Sequence, residues 1–103
     1  MQPTTPIKRL KRLLTSENLW LYVLSLIRHS GTLYAYNLDR QIEQEFFFKP
    51  SKIMIYVVLY KLESEGLIRS EFQERRKYYT ITKRGEETLE QARQHFKLLA
   101  DKV

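Results

Sequence analysis

The sequence predicts a mainly α-helical fold with one small β-hairpin. Two observations support this prediction. Apolar residues recur at intervals of three and four in several segments, as they do along the buried side of a helix, whereas a short stretch between residues 67 and 82 alternates like a strand pair. The length of 103 residues, with 43% hydrophobic residues, suffices for one domain with a single core.

The composition excludes several classes of protein. The chain has no cysteine, which excludes disulfides, thiolate catalysis and cysteine zinc sites. No segment has the form of a signal peptide or a membrane span, so we expect a soluble, cytoplasmic protein. With 18 Lys and Arg against 12 Asp and Glu, the net charge of +6 favours a polyanionic partner. We expect that partner to be nucleic acid rather than a membrane, with acidic proteins as an alternative.

The positive charge is concentrated in three segments. Residues 1–14 carry a net charge of +4, residues 47–61 carry +3 and residues 69–85 carry +4, and the intervening segments are acidic. Separate basic patches are typical of a protein in which selected elements meet a polyanion. A basic surface that only keeps the protein soluble is the alternative.

The first half of the chain contains two predicted core helices. Residues 1–15 precede them and form either a flexible basic tail or a short amphipathic helix whose apolar positions begin at Ile7. The first core helix is predicted over about residues 17–29, with Ser16 as its N-cap and a glycine as its stop signal. A second, shorter helix is predicted within residues 33–47.

The segment from Ile53 to Tyr60 is harder to assign, because eight consecutive apolar residues also fit a buried strand. Its flanks favour a third helix. Pro50 and Ser51 supply a start signal, and Gly66 fits the position that follows a helix end. The buried side of this helix is predicted to hold Ile55, Leu59 and Leu62.

A β-hairpin and a last helix complete the predicted order. The strands run from Leu67 to Phe72 and from Lys77 to Thr82, joined by the polar residues 73–76. Thr82 also supplies an N-cap for the last helix. The predicted organisation is a basic segment 1–15, a domain 16–85 and a C-terminal helix 86–103.

An apolar stripe runs along the last helix to the end of the chain. Its members repeat at three and four: Leu89, Ala92, Phe96, Leu99 and Val103. We interpret the stripe as a dimer interface with a second copy of the chain, because it outruns the body of so small a domain. Packing of Leu89 and Phe96 on the domain's own core is the alternative.

Three helices, a hairpin and a further helix are the order of a winged helix-turn-helix, and three motifs resemble the PadR-like family of transcriptional regulators. The motifs are Gly31 to Leu38 (GTLYAYNL), Tyr56 to Gly66 (YVVLYKLESEG), and Arg76 to Tyr79 (RKYY) followed by Ile81, Thr82 and Gly85. The resemblance covers residues 17–90, most of the chain. The chain departs from the family pattern at Ala35, Ile53 and Met54, and its hairpin is short and lacks Gly-Pro.

The resemblance implies a homodimeric, sequence-specific regulator of transcription, a repressor, that binds double-stranded DNA. It places the third helix in the major groove, the hairpin wing on the backbone or in the minor groove, and the last helix in the dimer interface. A two-fold dimer of this kind would read half-sites roughly 34 Å apart. A winged-helix module that binds a protein through the apolar outer face of the third helix is the alternative.

The candidate DNA-binding residues lie on the second-helix turn, the third helix and the wing. They are Tyr34, Tyr36, Ser51, Lys52, Ile53, Tyr56, Val57, Tyr60, Lys61, Arg75, Arg76 and Lys77. Ile53 and Val57 are suited to thymine methyl groups, and the hydroxyl and cationic side chains to phosphates or bases.

Other kinds of site receive little support from the sequence. Drug-responsive relatives bind planar apolar ligands in an aromatic pocket at the dimer interface, so the resemblance suggests a small apolar effector between Trp20 and Phe96; core packing is the alternative. His29 and His95 are isolated, so no metal and no cofactor are expected. No catalytic grouping is visible, and we expect that the protein is not an enzyme.

Overall fold

The computed structural model describes residues 2–103 and arranges them as five helices and three strands. The helices are α1 (Thr5–Leu14), α2 (Leu19–Ser30), α3 (Leu38–Phe46), α4 (Lys52–Ser64) and α5 (Lys83–Lys102). The strands are β1 (Leu33–Tyr34), β2 (Ile68–Gln73) and β3 (Arg76–Ile81). Short 3₁₀ turns precede α2 and α3, at Ser16–Asn18 and Ala35–Asn37. The predicted third helix is α4, and the predicted helical fold with a hairpin is confirmed.

The hydrophobic core lies between α2, α3 and α4 and is closed by the sheet and by the start of α5. Its fully buried side chains are Val23, Leu24, Ile27, Leu38, Ile42, Ile55, Leu59 and Ile68. Residues from all three helices therefore meet, as their periodicity predicts. This core holds the outer side of α4 and the hairpin in fixed positions.

The beginning of α2 differs from the prediction. Ser16 lies in the 3₁₀ turn and does not cap the helix; α2 begins at Leu19, with Asn18 at the N-cap position. The Asn18 side-chain amide donates a hydrogen bond to the Leu13 carbonyl (2.6 Å), which satisfies an acceptor at the end of α1. Because α1 is a helix that ends at Leu14 and α2 begins at Leu19, the 3₁₀ turn connects two separate helices.

The second predicted helix also starts later than predicted. Leu33 and Tyr34 form strand β1, which pairs with Tyr79 and Tyr78 of β3 in antiparallel register. Helix α3 then begins at Leu38. The sheet therefore has three strands in the order β1-β3-β2, and the prediction of two strands is corrected. Pairing with β3 satisfies backbone groups that a helix starting at residue 33 would have used internally.

The ends of α4 show why it is a helix despite its β-branched sequence. The Ser51 hydroxyl accepts a hydrogen bond from the Met54 N–H (3.5 Å) at the start. At the other end Gly66 has φ +77°, and the Leu67 N–H donates to the Leu62 carbonyl (2.9 Å). This is the Schellman closure, which glycine accommodates without strain.

The wing is a tight hairpin with a two-residue turn rather than the four-residue connection that the sequence predicts. Strands β2 and β3 pair up to Gln73 and Arg76. Only Glu74 and Arg75 lie between them, both with positive φ (+51° and +71°). Two successive left-handed residues form a type I′ turn, which matches the twist of the strands and presents Arg75 at the tip.

Helix α5 belongs partly to the domain. The Thr82 hydroxyl caps it by accepting a hydrogen bond from the Gly85 N–H (3.1 Å), as predicted, and donates one to the Gly66 carbonyl (2.7 Å). Leu89 in the second turn is only 3% exposed, so the predicted boundary between residues 85 and 86 divides a helix that is continuous with the core. Beyond Leu89, α5 extends away from the core.

Candidate nucleic-acid interface

The outer side of α4 is exposed and largely apolar. Ile53 and Tyr60 are each 75% exposed and Val57 is 36% exposed, whereas Ile55 and Leu59 are buried on the opposite side. The predicted division of this helix into a buried and an outward face is confirmed. The outward face is therefore available to a partner along its whole length.

The start of α4 lies against the 3₁₀ turn that precedes α3. Tyr36, Lys52 and Tyr56 line a recess of about 60 Å³ between the two elements, with Ala35 and Ile55 beneath them. Tyr36 and Tyr56 are both more than half exposed. The structure thus brings Tyr36, from the turn before α3, next to Lys52 and Tyr56 of α4, so that two tyrosines and one lysine line the same recess.

Aromatic contacts connect this recess with the wing. The ring of Tyr34 lies 6.2 Å from that of Tyr36 and 6.1 Å from that of Tyr78, between centroids. The Arg76 guanidinium lies 5.7 Å from the Tyr34 ring centroid, within cation–π range. Strand β1 creates this continuity because it pairs Tyr34 directly with Tyr78. The Tyr78 hydroxyl also donates to Glu71 (3.2 Å), and this hydrogen bond raises the pKa of Tyr78.

The opposite side of the wing has its own cation and aromatic cluster. The Lys77 ammonium lies 5.9 Å from the Phe72 ring centroid and 5.7 Å from that of Tyr79. Tyr79 is part of the core, and burial raises its pKa, with a smaller contribution from the Glu63 carboxylate. These contacts hold the stem of Lys77 against the wing and leave its charge at the surface.

A hydrogen-bonded connection between α4 and the wing is not evident from the sequence. One carboxylate oxygen of Glu63 accepts hydrogen bonds from the Ser70 N–H (3.0 Å) and the Ser70 hydroxyl (2.5 Å). Glu63 is near the end of α4, and Ser70 is in β2. The pair therefore sets the position of the wing relative to α4. Spacing alone could not identify it, because the two residues lie on either side of a turn.

The cations of the candidate site have no acidic partner. Within residues 2–103, the one ion pair joins Arg93 and Glu90 of α5 (3.7 Å), far along the chain from the site. The cations without a carboxylate within 4.0 Å include Lys49, Lys52, Lys61, Arg75, Arg76 and Lys77. A surface with six such charges around an exposed helix is suited to phosphate groups, because no internal ion pair has to be broken first.

The proposed effector residues do not share a pocket within one chain. Trp20 lines a groove of about 480 Å³ together with Met54, Val58 and Leu67. Phe96 lines a separate groove of about 380 Å³. The two grooves lie on different sides of α2, so a pocket that contains both Trp20 and Phe96 stays a prediction for the dimer interface.

The predicted dimer stripe is divided in a similar way. Leu89 packs in the core of its own domain and offers almost no surface to a second copy, so its assignment to a dimer interface is corrected. Ala92 is partly buried, and Phe96, Leu99 and Val103 are exposed, Val103 at 98%. The alternative interpretation therefore applies to Leu89, and the stripe open to a partner begins after it.

No group of three potential metal ligands occurs among residues 2–103. Over the same residues, none of the helices combines the length and the apolar character that crossing a bilayer requires.

An exposed helix next to a cationic hairpin on a three-helix core defines a winged-helix DNA-binding protein. The model of the transcriptional regulator PadR-like family matches residues 23–91, more than half of the chain. The chain belongs to this family. It is therefore a DNA-binding transcription regulator and not an enzyme, as its sequence predicts.

Solved structures agree with this assignment. A PadR family regulator from Eggerthella lenta is 27% identical, with a TM-score of 0.78, over 96% of this chain and 86% of that one. A PadR-like regulator from Bacillus cereus is 28% identical, with a TM-score of 0.73, over 93% and 92%. Bacillus subtilis PadR in complex with operator DNA is 31% identical, with a TM-score of 0.60, over 71% and 45%. No curated protein sequence matches the chain significantly.

Proposed function

We propose that the protein is a homodimeric repressor that reads a double-stranded operator with α4 in the major groove and the wing on the backbone or in the adjacent minor groove. The observation that carries this proposal is the joining of the outward face of α4 to the wing. Tyr36, Tyr34 and Arg76 form a continuous edge between them, and unpaired cations border it. Such a surface combines base-facing and phosphate-facing groups.

The twelve candidate residues have distinct roles in this proposal. Ile53, Val57 and Tyr60 face the bases, because they lie on the side of α4 opposite to its buried residues Ile55 and Leu59. Six residues surround that face, where phosphates of a bound duplex would lie: Ser51, Lys52, Tyr56, Lys61, Tyr34 and Tyr36. The wing residues Arg75, Arg76 and Lys77 contact the DNA strand next to the wing. The operator complex of Bacillus subtilis PadR supports DNA as the partner.

Dimerisation rests on apolar surface at both ends of the chain. Phe96, Leu99 and Val103 are exposed on α5, and α1 buries none of its residues. Amphipathic helices gain stability by covering their apolar side, and a second copy can cover both. In such a dimer a small apolar effector that contacts both Trp20 and Phe96 would have to bind between protomers.

Repression and location follow from the same role. A dimer that occupies an operator excludes other proteins from that DNA, which supports a repressor role. A regulator of transcription acts where DNA is present, which supports a location in the cytoplasm. A protein partner on the outer face of α4 is less well supported, since the surrounding surface is strongly cationic.

The test is the salt dependence of binding to a duplex selected from a random pool. Arg75→Ala with Arg76→Ala should lower the slope of log affinity against log salt by about 1.8 per protomer, because two phosphate contacts are lost. Lys97→Ala with Lys102→Ala removes the same charge from α5 and is the matched control, which should retain most of the slope. If the wing variant and the control have the same slope, the wing does not contact DNA.

A further inference from the structure

The outward ridge of α4 lacks the side chains that usually read bases. With about 100° of rotation per residue, Ile53, Val57, Tyr60 and Ser64 lie within about 40° of the direction opposite to Ile55. The Ser64 hydroxyl already donates to the Tyr60 carbonyl (2.9 Å). The first two turns of the ridge thus present only two aliphatic side chains, and Tyr60 follows one turn later.

The polar neighbours of this ridge point to its sides. Lys52 and Tyr56 line the recess next to Tyr36, and Lys61 lines the groove beneath Trp20. No Arg, Lys, Asn, Gln, Asp or Glu lies on the ridge itself. Bidentate recognition of guanine or adenine requires such groups, so the ridge cannot distinguish bases in that way.

We propose that Ile53 and Val57 read the 5-methyl groups of thymines, so that the protein selects its operator by the positions of those methyl groups in the major groove. The inference rests on the proposed function, in which α4 enters that groove. The thymine methyl is the apolar group that bases expose there. Because unpaired cations flank the ridge on both sides, a polyanion is the partner that complements this surface.

The two side chains are suited to this role by their stiffness and position. Valine and isoleucine have few accessible rotamers in a helix, so little side-chain entropy is lost when they meet a methyl group. Both lie in the N-terminal half of α4, the half that contacts base edges in helix-turn-helix complexes. Ile53 is 75% exposed in the free protein, and it therefore has apolar surface to bury on binding.

The experiment replaces thymidine by deoxyuridine in a duplex selected from a random pool. This substitution removes the methyl groups and keeps the charge and the hydrogen-bonding groups of every base pair. We expect affinity to fall roughly fourfold for each contacted methyl group. Single replacements then locate the contacted thymines, which should recur at symmetric positions in the two half-sites.

Protein variants assign the effect to the ridge. Ile53→Ala or Val57→Ala should reduce the ratio of affinities for the thymidine and deoxyuridine duplexes, and both positions are exposed enough that folding should be retained. Arg75→Ala is the control and should weaken both duplexes equally, leaving the ratio unchanged. If the thymidine duplex binds in a salt-dependent manner but no more tightly than the deoxyuridine duplex, the inference is wrong and the proposed function stands. A ratio that persists in both ridge variants also overturns the inference, whereas failure to bind any selected duplex contradicts the proposed function itself.

Discussion

Gly85 of α5 packs directly against the main-chain carbonyl of Leu67. A Cβ atom on Gly85 would lie 2.1 Å from the Leu67 oxygen and 2.7 Å from Cγ1 of Ile81, far inside van der Waals contact. The start of α5 therefore fits between the end of α4 and the base of the wing only because this residue has no side chain. The glycine in the family motif is explained by lack of space rather than by a positive φ.

Gly85→Ala should destabilise the domain by about 1–3 kcal/mol, because backbone must move to admit the methyl group. The improved helix propensity of alanine, about 1 kcal/mol, offsets only part of this cost. Gly31→Ala is the comparison: Gly31 has φ +75° but no atom within 4 Å of the added methyl, so the cost is conformational, about 1 kcal/mol. Urea unfolding measures both, and a smaller loss for Gly85→Ala would contradict the packing argument.

Replacing the wing turn by Asn-Gly should stabilise the protein. Glu74 and Arg75 both have positive φ, and Glu74→Asn with Arg75→Gly supplies the preferred type I′ sequence. We expect a gain of roughly 1 kcal/mol in the free energy of unfolding. The same variant should bind duplex DNA more weakly because it lacks Arg75, whereas Glu74→Asn alone should not. Thermal unfolding and duplex titration measure the two effects, and a loss of stability in the double variant would exclude the type I′ turn.

Phe96→Glu should dissociate the proposed homodimer, because it places a charge in the exposed apolar stripe of α5. Gln94→Glu adds the same charge two residues earlier, on a different side of the helix, and is the control that should remain dimeric. Sedimentation at several concentrations measures both. A dimeric Phe96→Glu variant would place the interface elsewhere.

Stability should decrease at alkaline pH, partly through Tyr79. Burial raises the pKa of Tyr79 in the folded state, so the unfolded chain loses this proton first. The contribution is fully present below the unfolded pKa of about 10 and is lost as pH rises through the folded pKa. Tyr79→Phe should therefore show a smaller decrease in urea midpoint between pH 9 and pH 11. Burial also raises the pKa of Tyr22, so the variant should keep part of the decrease. The same decrease in urea midpoint in the variant and the unmodified protein would contradict the prediction.

The sequence predicted the elements that depend on local signals. The helix after Pro50 could be predicted because Ser51 and Gly66 mark its ends, although Ile53 to Tyr60 resembles a strand. Strand β1 could not be predicted, since its two residues are defined by pairing with Tyr78 and Tyr79, more than forty positions away.

The same distinction applies to the candidate site. The outward face of α4 follows from helical periodicity, and the structure confirms it. The bonds from Ser70 to Glu63 depend on how the wing folds back on α4, which spacing does not reveal. Leu89 has the periodicity of an interface residue, yet it contributes to the core, because α5 starts against the wing and not beyond it.

The Thr82 hydroxyl joins Gly66, which follows the end of α4, to the first turn of α5. Together with the contact between Gly85 and Leu67, it fixes the start of α5 against the segment that follows α4. In the proposed homodimer built on α5, a rotation of one protomer against the other would therefore also move the two copies of α4 relative to each other. The distance between their DNA-facing surfaces is then governed by the angle at which the two subunits meet.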